Sequence, residues 1–69
     1  MASFHDRETE LEMVQRHVRT GEDILARQRS LIERLTERGL PTSRSVSLLA
    51  FFQALQNAHQ AHLARIQKA

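Results

Sequence analysis

The sequence contains no cysteine, tryptophan or tyrosine among its 69 residues. Without cysteine, disulfide bonds and thiolate metal sites are excluded, and the composition fits a reducing compartment. A chain of this length buries a modest fraction of its surface on folding and is marginally stable alone. It must therefore be a compact helical monomer, carry a histidine or carboxylate metal site, or associate with a partner, and we expect association.

Long apolar runs and a strong charge of one sign are also missing. The longest apolar run, Leu48 to Phe52, is far too short to cross a bilayer, and the first ten residues lack the apolar region of a signal peptide. The net charge is +2, with no dense basic patch. These absences predict a cytoplasmic protein with no membrane partner, and they do not favour nucleic acid as a ligand.

Proline occurs once, at Pro41, and it divides the chain into two helical segments. Gly39 and Pro41 after an arginine-rich stretch are typical of a helix end, where Leu40 can contact Leu35 in a Schellman turn. We predict a single domain, with helix 1 at about 4–38 from a cap at Ser3, a turn at 39–42 and helix 2 at about 43–67. A turn this short requires the two helices to run antiparallel.

Helix 1 carries two adjacent stripes with helical spacing, which indicates two neighbouring helices rather than one. The first has the alternating three-four spacing of a coiled coil and consists of Leu11, Val14, Val18, Gly21, Leu25, Gln28, Ile32 and Leu35. The second consists of Met13, His17, Thr20, Ile24 and Leu31.

Helix 2 contains no Asp, Glu, Lys or Arg from Ser45 to Ala64. Its apolar and small residues cover more than half of the circumference, so a single neighbouring helix does not shield them. We assign the remaining stripe to solvent: Gln53, Gln56, Asn57, Gln60 and Ala64.

These patterns predict an all-α protein, an antiparallel two-helix hairpin that pairs into a homodimeric four-helix bundle. Folding the hairpin about Leu40 places Gly21 beside His59 or Gln60, and His17 beside His62 or Leu63. The residues assigned to packing within the hairpin are Gly21, Leu25, Ile32, Leu35 and Gly39. The residues assigned to the dimer core are Leu48, Phe51, Phe52, Leu55, Ala58, His59, His62 and Ile66.

The histidines of helix 2 are the candidates for site chemistry, and three interpretations are open. The first, which we favour, is that His59 and His62 are packing residues with hydrogen-bond partners. In the second, His17, His59 and His62 bind a transition metal together with a carboxylate such as Glu22. In the third, protonation of the histidines loosens a dimer core as the pH falls. We therefore predict no metal or other cofactor.

No catalytic motif is present: the sequence lacks a glycine-rich phosphate loop, a nucleophile elbow and an HExxH metal motif. We therefore predict a non-enzymatic, dimeric protein-interaction or regulatory module whose exposed helix 1 contacts an unidentified protein partner. One alternative is a nucleic-acid accessory protein that uses Arg44, Arg65 and Lys68. The other is a metal protein based on the histidines.

The chain also resembles a group of short, uncharacterised helical-hairpin proteins of alpha-proteobacteria, over about Glu8 to Ile66. Because no activity is assigned to that group, the resemblance implies a fold and not a function. Similar proteins have acidic residues near Gln53 and Ala54, which this chain lacks. The resemblance lies in Arg16-His17-Val18, Gly21-Glu22, Ile24, Ala26-Arg-Gln-Arg29, Leu31-Ile32, Leu35, Gly39, Leu48-Leu49, Phe52, Leu55, His59 and His62.

Overall fold

The protein is an antiparallel pair of helices, as the sequence predicts. The computed structural model describes residues 8–68, which form α1 (Glu10–Glu37) and α2 (Ser43–Lys68) with no strand in that range. The smallest extent of the molecule is 13 Å, about the diameter of one helix with its side chains, roughly 10–12 Å. The hairpin is therefore a single layer, and each helix has one neighbour within the described part of the chain.

Helix α1 begins later than the sequence pattern suggested. Its cap is Thr9, whose Oγ1 accepts a hydrogen bond from the Glu12 backbone N–H at 3.0 Å, while Glu12 Oε1 accepts one from the Thr9 N–H at 2.9 Å. This reciprocal pair satisfies two N–H groups that the first turn leaves unpaired. The start expected at about residue 4 is thus corrected to Glu10, and the expected cap at Ser3 lies outside the described residues.

The connection between the helices has the hydrogen bonds of a Schellman turn. The Leu40 N–H donates to the Leu35 carbonyl at 2.9 Å, and the Gly39 N–H donates to the Thr36 carbonyl at 3.0 Å. Gly39 has a φ of 68°, a left-handed conformation that glycine adopts without steric cost. The turn ends at Thr42, whose carbonyl accepts from the Val46 N–H at 2.9 Å and starts α2.

The interior between the helices is small and partly polar. Among residues 8–68, the buried apolar side chains are Val14 and Leu25, and two glutamines, Gln28 and Gln56, are buried with them. Gln56 is only 2 % exposed, so its assignment to the solvent stripe was wrong. The residues of α2 that face α1 recur at alternating intervals of four and three: Ser45, Leu49, Phe52, Gln56, His59, Leu63 and Ile66.

The register of the two helices also differs from a symmetric fold about Leu40. Gly21 faces Gln56 rather than His59 or Gln60, and His17 lies beside His59 rather than His62. This is a shift of about one helical turn. Residues 38–42 are not helical, so the chain there does not follow the rise of about 1.5 Å per residue that a symmetric fold about Leu40 assumes.

Candidate functional site

Helix α2 exposes a row of large apolar side chains on one side. Leu48, Phe51 and Leu55 are 44 %, 58 % and 43 % exposed, and their spacing of three and four residues places them on one helix face. Val46 is exposed as well, but it is two residues from Leu48 and therefore points to nearly the opposite side. Such a row, rather than isolated apolar residues, is typical of a binding surface.

A groove between the helices continues this row. It has a volume of about 150 Å³, and it brings the second stripe of α1 next to the apolar row of α2. We call the row and the groove together the open face, and define it as Leu48, Phe51, Phe52, Leu55, Gln56 and His59 on α2 with His17, Thr20, Gly21 and Ile24 on α1.

Gln56 forms the floor of the groove and holds its two walls in register. Its Nε2 donates to the Val18 carbonyl at 2.9 Å, and its amide occupies the room that Gly21 leaves by having no side chain. Its Oε1 is buried and has no hydrogen-bond partner among the described residues. The sequence contains a signal for this role, because Gln56 has heptad spacing with Leu49, Phe52 and Leu63. The polar side chain of Gln56 instead favoured its assignment to solvent.

Two histidines meet in the groove, one from each helix. The ring centroids of His17 and His59 are 5.1 Å apart with their planes inclined by 42°. The Nδ1 of His59 is buried and makes no hydrogen bond within the described part of the chain. The pair therefore adds flat aromatic surface to the groove wall.

The three histidines proposed as metal ligands do not converge within one chain. His62 lies away from the other two, with its Nε2 3.0 Å from Glu10 Oε2. Over residues 8–68, no group of three or more His, Cys, Asp or Glu side chains is placed to hold a metal ion. The contact between His62 and Glu10 instead joins the end of α2 to the start of α1.

The residues assigned to the dimer core divide into two groups by exposure. Those with the most exposed side chains are Leu48, Phe51, Leu55 and Ala58. Those that are half-buried, because they also border α1, are Phe52, His59, His62 and Ile66.

The residues assigned to packing within the hairpin lie along α1 and in the turn. Leu25 is buried in the interior, and Gly39 is exposed in the turn between the helices. Gly21, Ile32 and Leu35 are half-buried along the side of α1 that bears Val14 and Leu25.

The charged residues lie outside the open face. Arg16 binds Glu8 through two hydrogen bonds of 2.9 Å, and this contact lowers the pKa of the Glu8 carboxyl from its ordinary value. Arg44 lies in the first turn of α2, whereas Arg65 and Lys68 lie in its last turn. Arg44 is about 30 Å from Arg65 along the axis at the usual helical rise, and further from Lys68, so these three residues do not form one basic patch.

Neither helix of the described region has the length and apolar character needed to cross a bilayer. Comparison of the chain with protein-family models, with curated proteins and with solved structures finds no match.

Proposed function

We propose that this protein is a non-enzymatic interaction module that acts as a homodimer, with two hairpins packed through their open faces into a four-helix bundle. The observation that carries this proposal is the exposure of Leu48, Phe51 and Leu55 along one side of α2. Burying a fully exposed large apolar side chain contributes about 1.5–3 kcal/mol, and because these three side chains are about half exposed, covering each contributes roughly half of that. The same packing would cover the groove, and it accounts for the uncharged stretch from Ser45 to Ala64.

Because the interior of the hairpin is small, the hairpin needs further apolar burial, which a covered open face would supply. Val14 and Leu25 are the apolar side chains that the described helices bury, whereas ordering each residue costs about 1–2 kcal/mol in backbone entropy. Chains of this size commonly obtain the missing stabilisation from a second subunit. The hairpin therefore folds most stably when its open face is covered.

A second copy is the occupant that the open face fits best. Dimers with two-fold symmetry use the same patch on both subunits, so that patch must complement itself. The open face meets this requirement because it combines a projecting ring, Phe51, with a groove of about 150 Å³. It also contains no Asp, Glu, Lys or Arg, so no permanent charge on one copy opposes the same charge on the other.

The dimer leaves the outer side of α1 free for a further protein. That side is exposed and carries charges of both signs, including Glu12, Arg19, Asp23 and Arg27. Mixed charge of this kind favours a polar, reversible contact, since surface ion pairs each contribute little. The open face thus serves assembly, and the outer side of α1 serves recognition.

Sedimentation equilibrium of the purified protein tests the dimer. We expect the mass of two chains for the wild type, and a dimer dissociation constant raised at least about 100-fold by Phe51→Glu, the size of effect seen at interface hot spots. Val46→Glu is the matched control because Val46 has similar exposure, 48 %, on another side of the same helix. Circular dichroism confirms that each variant remains helical at the concentration used.

Two results would overturn the proposal. One is a wild-type chain that remains a monomer, and melts cooperatively, at every concentration. The other is a dimer that Val46→Glu disrupts as strongly as Phe51→Glu, which would place the interface elsewhere on α2.

A further inference from the structure

We infer that Phe51 of each copy inserts into the groove of the other copy, against His17 and His59, and that the two α2 helices cross antiparallel at Leu55. This inference rests on the homodimer proposed above and specifies its geometry. It assigns a ligand to the groove, an aromatic side chain from a second copy of this chain.

The size and composition of the groove fit a phenyl ring. Its volume is about 150 Å³, and an apolar cavity of roughly that size in another protein admits benzene. Its walls are mainly apolar or aromatic, with Ile24 and His17 on α1 facing Phe52 and His59 on α2. Aromatic rings pack favourably against one another in tilted arrangements, at centroid separations of about 4.5–7 Å.

Phe51 is the side chain best placed to fill such a groove. It is 58 % exposed, the highest value among the exposed large apolar residues of the described chain. Its ring also leans against Phe52, at a centroid distance of 6.0 Å and an interplanar angle of 57°. That contact holds the ring at the edge of the groove of its own chain, where it projects towards a second copy.

Two-fold symmetry then determines the rest of the contact. If Phe51 of one copy faces His59 of the other, the reverse contact also exists, and Leu55, midway between them in α2, lies at the axis. The same antiparallel pairing places Leu48 of one copy near His62 of the other. Leu48, Phe51 and Leu55, the exposed row of α2, thus each receive a partner.

The first experiment measures the contact in the wild-type protein. Equal amounts of isotope-labelled and unlabelled chain are mixed, and isotope-filtered nuclear Overhauser spectra report contacts between copies only. We expect cross-peaks from the Phe51 ring to the ring protons of His17 and His59 and to the methyl groups of Leu55. A dimer in which the Phe51 ring shows contacts to other residues of the second copy, and none to His17 or His59, overturns the insertion.

The second experiment tests the axis by disulfide formation, and it benefits from the absence of native cysteine. Equivalent residues close to a two-fold axis approach within the Cα distance that a disulfide requires, about 4.4–6.8 Å. We expect Leu55→Cys to form a covalent dimer rapidly under mild oxidation, at least about tenfold faster than Val46→Cys, since thiol access and proximity control the rate. Equal rates for the two variants would overturn the crossing at Leu55.

The two proposals fail in distinguishable ways. A wild-type chain that is monomeric, and gives no contacts between copies, removes the homodimer and this inference together. A dimer that lacks the Phe51 contacts, or that forms disulfides through Val46→Cys as fast as through Leu55→Cys, removes this inference and leaves the homodimer standing.

Discussion

The amide of Gln56 lies directly against the backbone of Gly21. A Cβ added to Gly21 would meet the Oε1 of Gln56 and come within 2.7 Å of its Cδ, far inside van der Waals contact. Gln56 is 2 % exposed, and its Nε2 donates to the Val18 carbonyl three residues before the glycine. A glycine within a helix costs about 1 kcal/mol relative to alanine, and in this hairpin it makes room for a buried amide that joins the helices.

This relationship predicts that the effect of Gly21→Ala depends on residue 56. In the wild type, the new methyl group displaces the Gln56 amide from the Val18 carbonyl, which offsets the gain in helix propensity, so the free energy of unfolding stays level or falls by up to about 1 kcal/mol. In a Gln56→Ala background the same substitution raises it by about 1 kcal/mol. Chemical denaturation of the four variants at one protein concentration gives the coupling energy, expected at about 1–2 kcal/mol.

A coupling energy near zero would show that the two residues do not touch in solution. Ser30→Ala, on the exposed side of the same helix, is the control. Its effect on the free energy of unfolding should be the same in the wild-type and Gln56→Ala backgrounds.

Gln28 joins the helices near the turn, as Gln56 does further along. It is 8 % exposed, and its Nε2 donates to the Ser45 carbonyl at 2.9 Å. Truncation by Gln28→Ala removes a buried hydrogen bond, so we expect the free energy of unfolding to fall by about 1 kcal/mol. Gln60→Ala, at an exposed position of α2, should change it by less than about 0.5 kcal/mol. Thermal melts followed by circular dichroism compare the two, and equal effects would contradict a joining role for Gln28.

The contact between Glu8 and Arg16 predicts a shifted titration at the start of α1. The Arg16 guanidinium donates two hydrogen bonds to the Glu8 carboxylate and lowers its pKa. A carboxyl with a depressed pKa in the folded state contributes stability above its unfolded pKa, and that contribution is lost as the pH falls through the folded value. The pair therefore stabilises the neutral-pH protein and is lost only in acid.

The measurement is a carboxyl titration by nuclear magnetic resonance. Arg16→Gln should raise the pKa of Glu8 towards its ordinary value, because the hydrogen-bonded cation is gone. Arg34→Gln, near the far end of α1, should leave it unchanged. A Glu8 pKa that is the same in all three proteins would show that the contact does not persist in water.

Much of the hairpin follows from local chemistry, which is why it could be predicted from residues alone. The helix end at Gly39, the turn through Pro41 and the heptad stripe through Val14 and Leu25 depend on nearest neighbours and on helical periodicity. The sequence also contains a signal for the start of α1, because Thr9 and Glu12 have capping-box spacing. Ser3 and Asp6 have the same three-residue spacing of a capping residue and an acid, and that competing signal is why the predicted start at about residue 4 was too early.

The register of the helices and the contents of the groove depend instead on contacts between residues that are distant in the sequence. Whether Gln56 faces water or α1 depends on what lies opposite it, and that is a glycine and a backbone carbonyl brought near by the path of residues 38–42. Periodicity assigns a residue to a stripe, whereas burial depends on how one stripe is rotated and shifted against another. A polar side chain in a heptad position therefore acquires its role from a neighbour distant along the chain, and the composition of its own helix does not specify that neighbour.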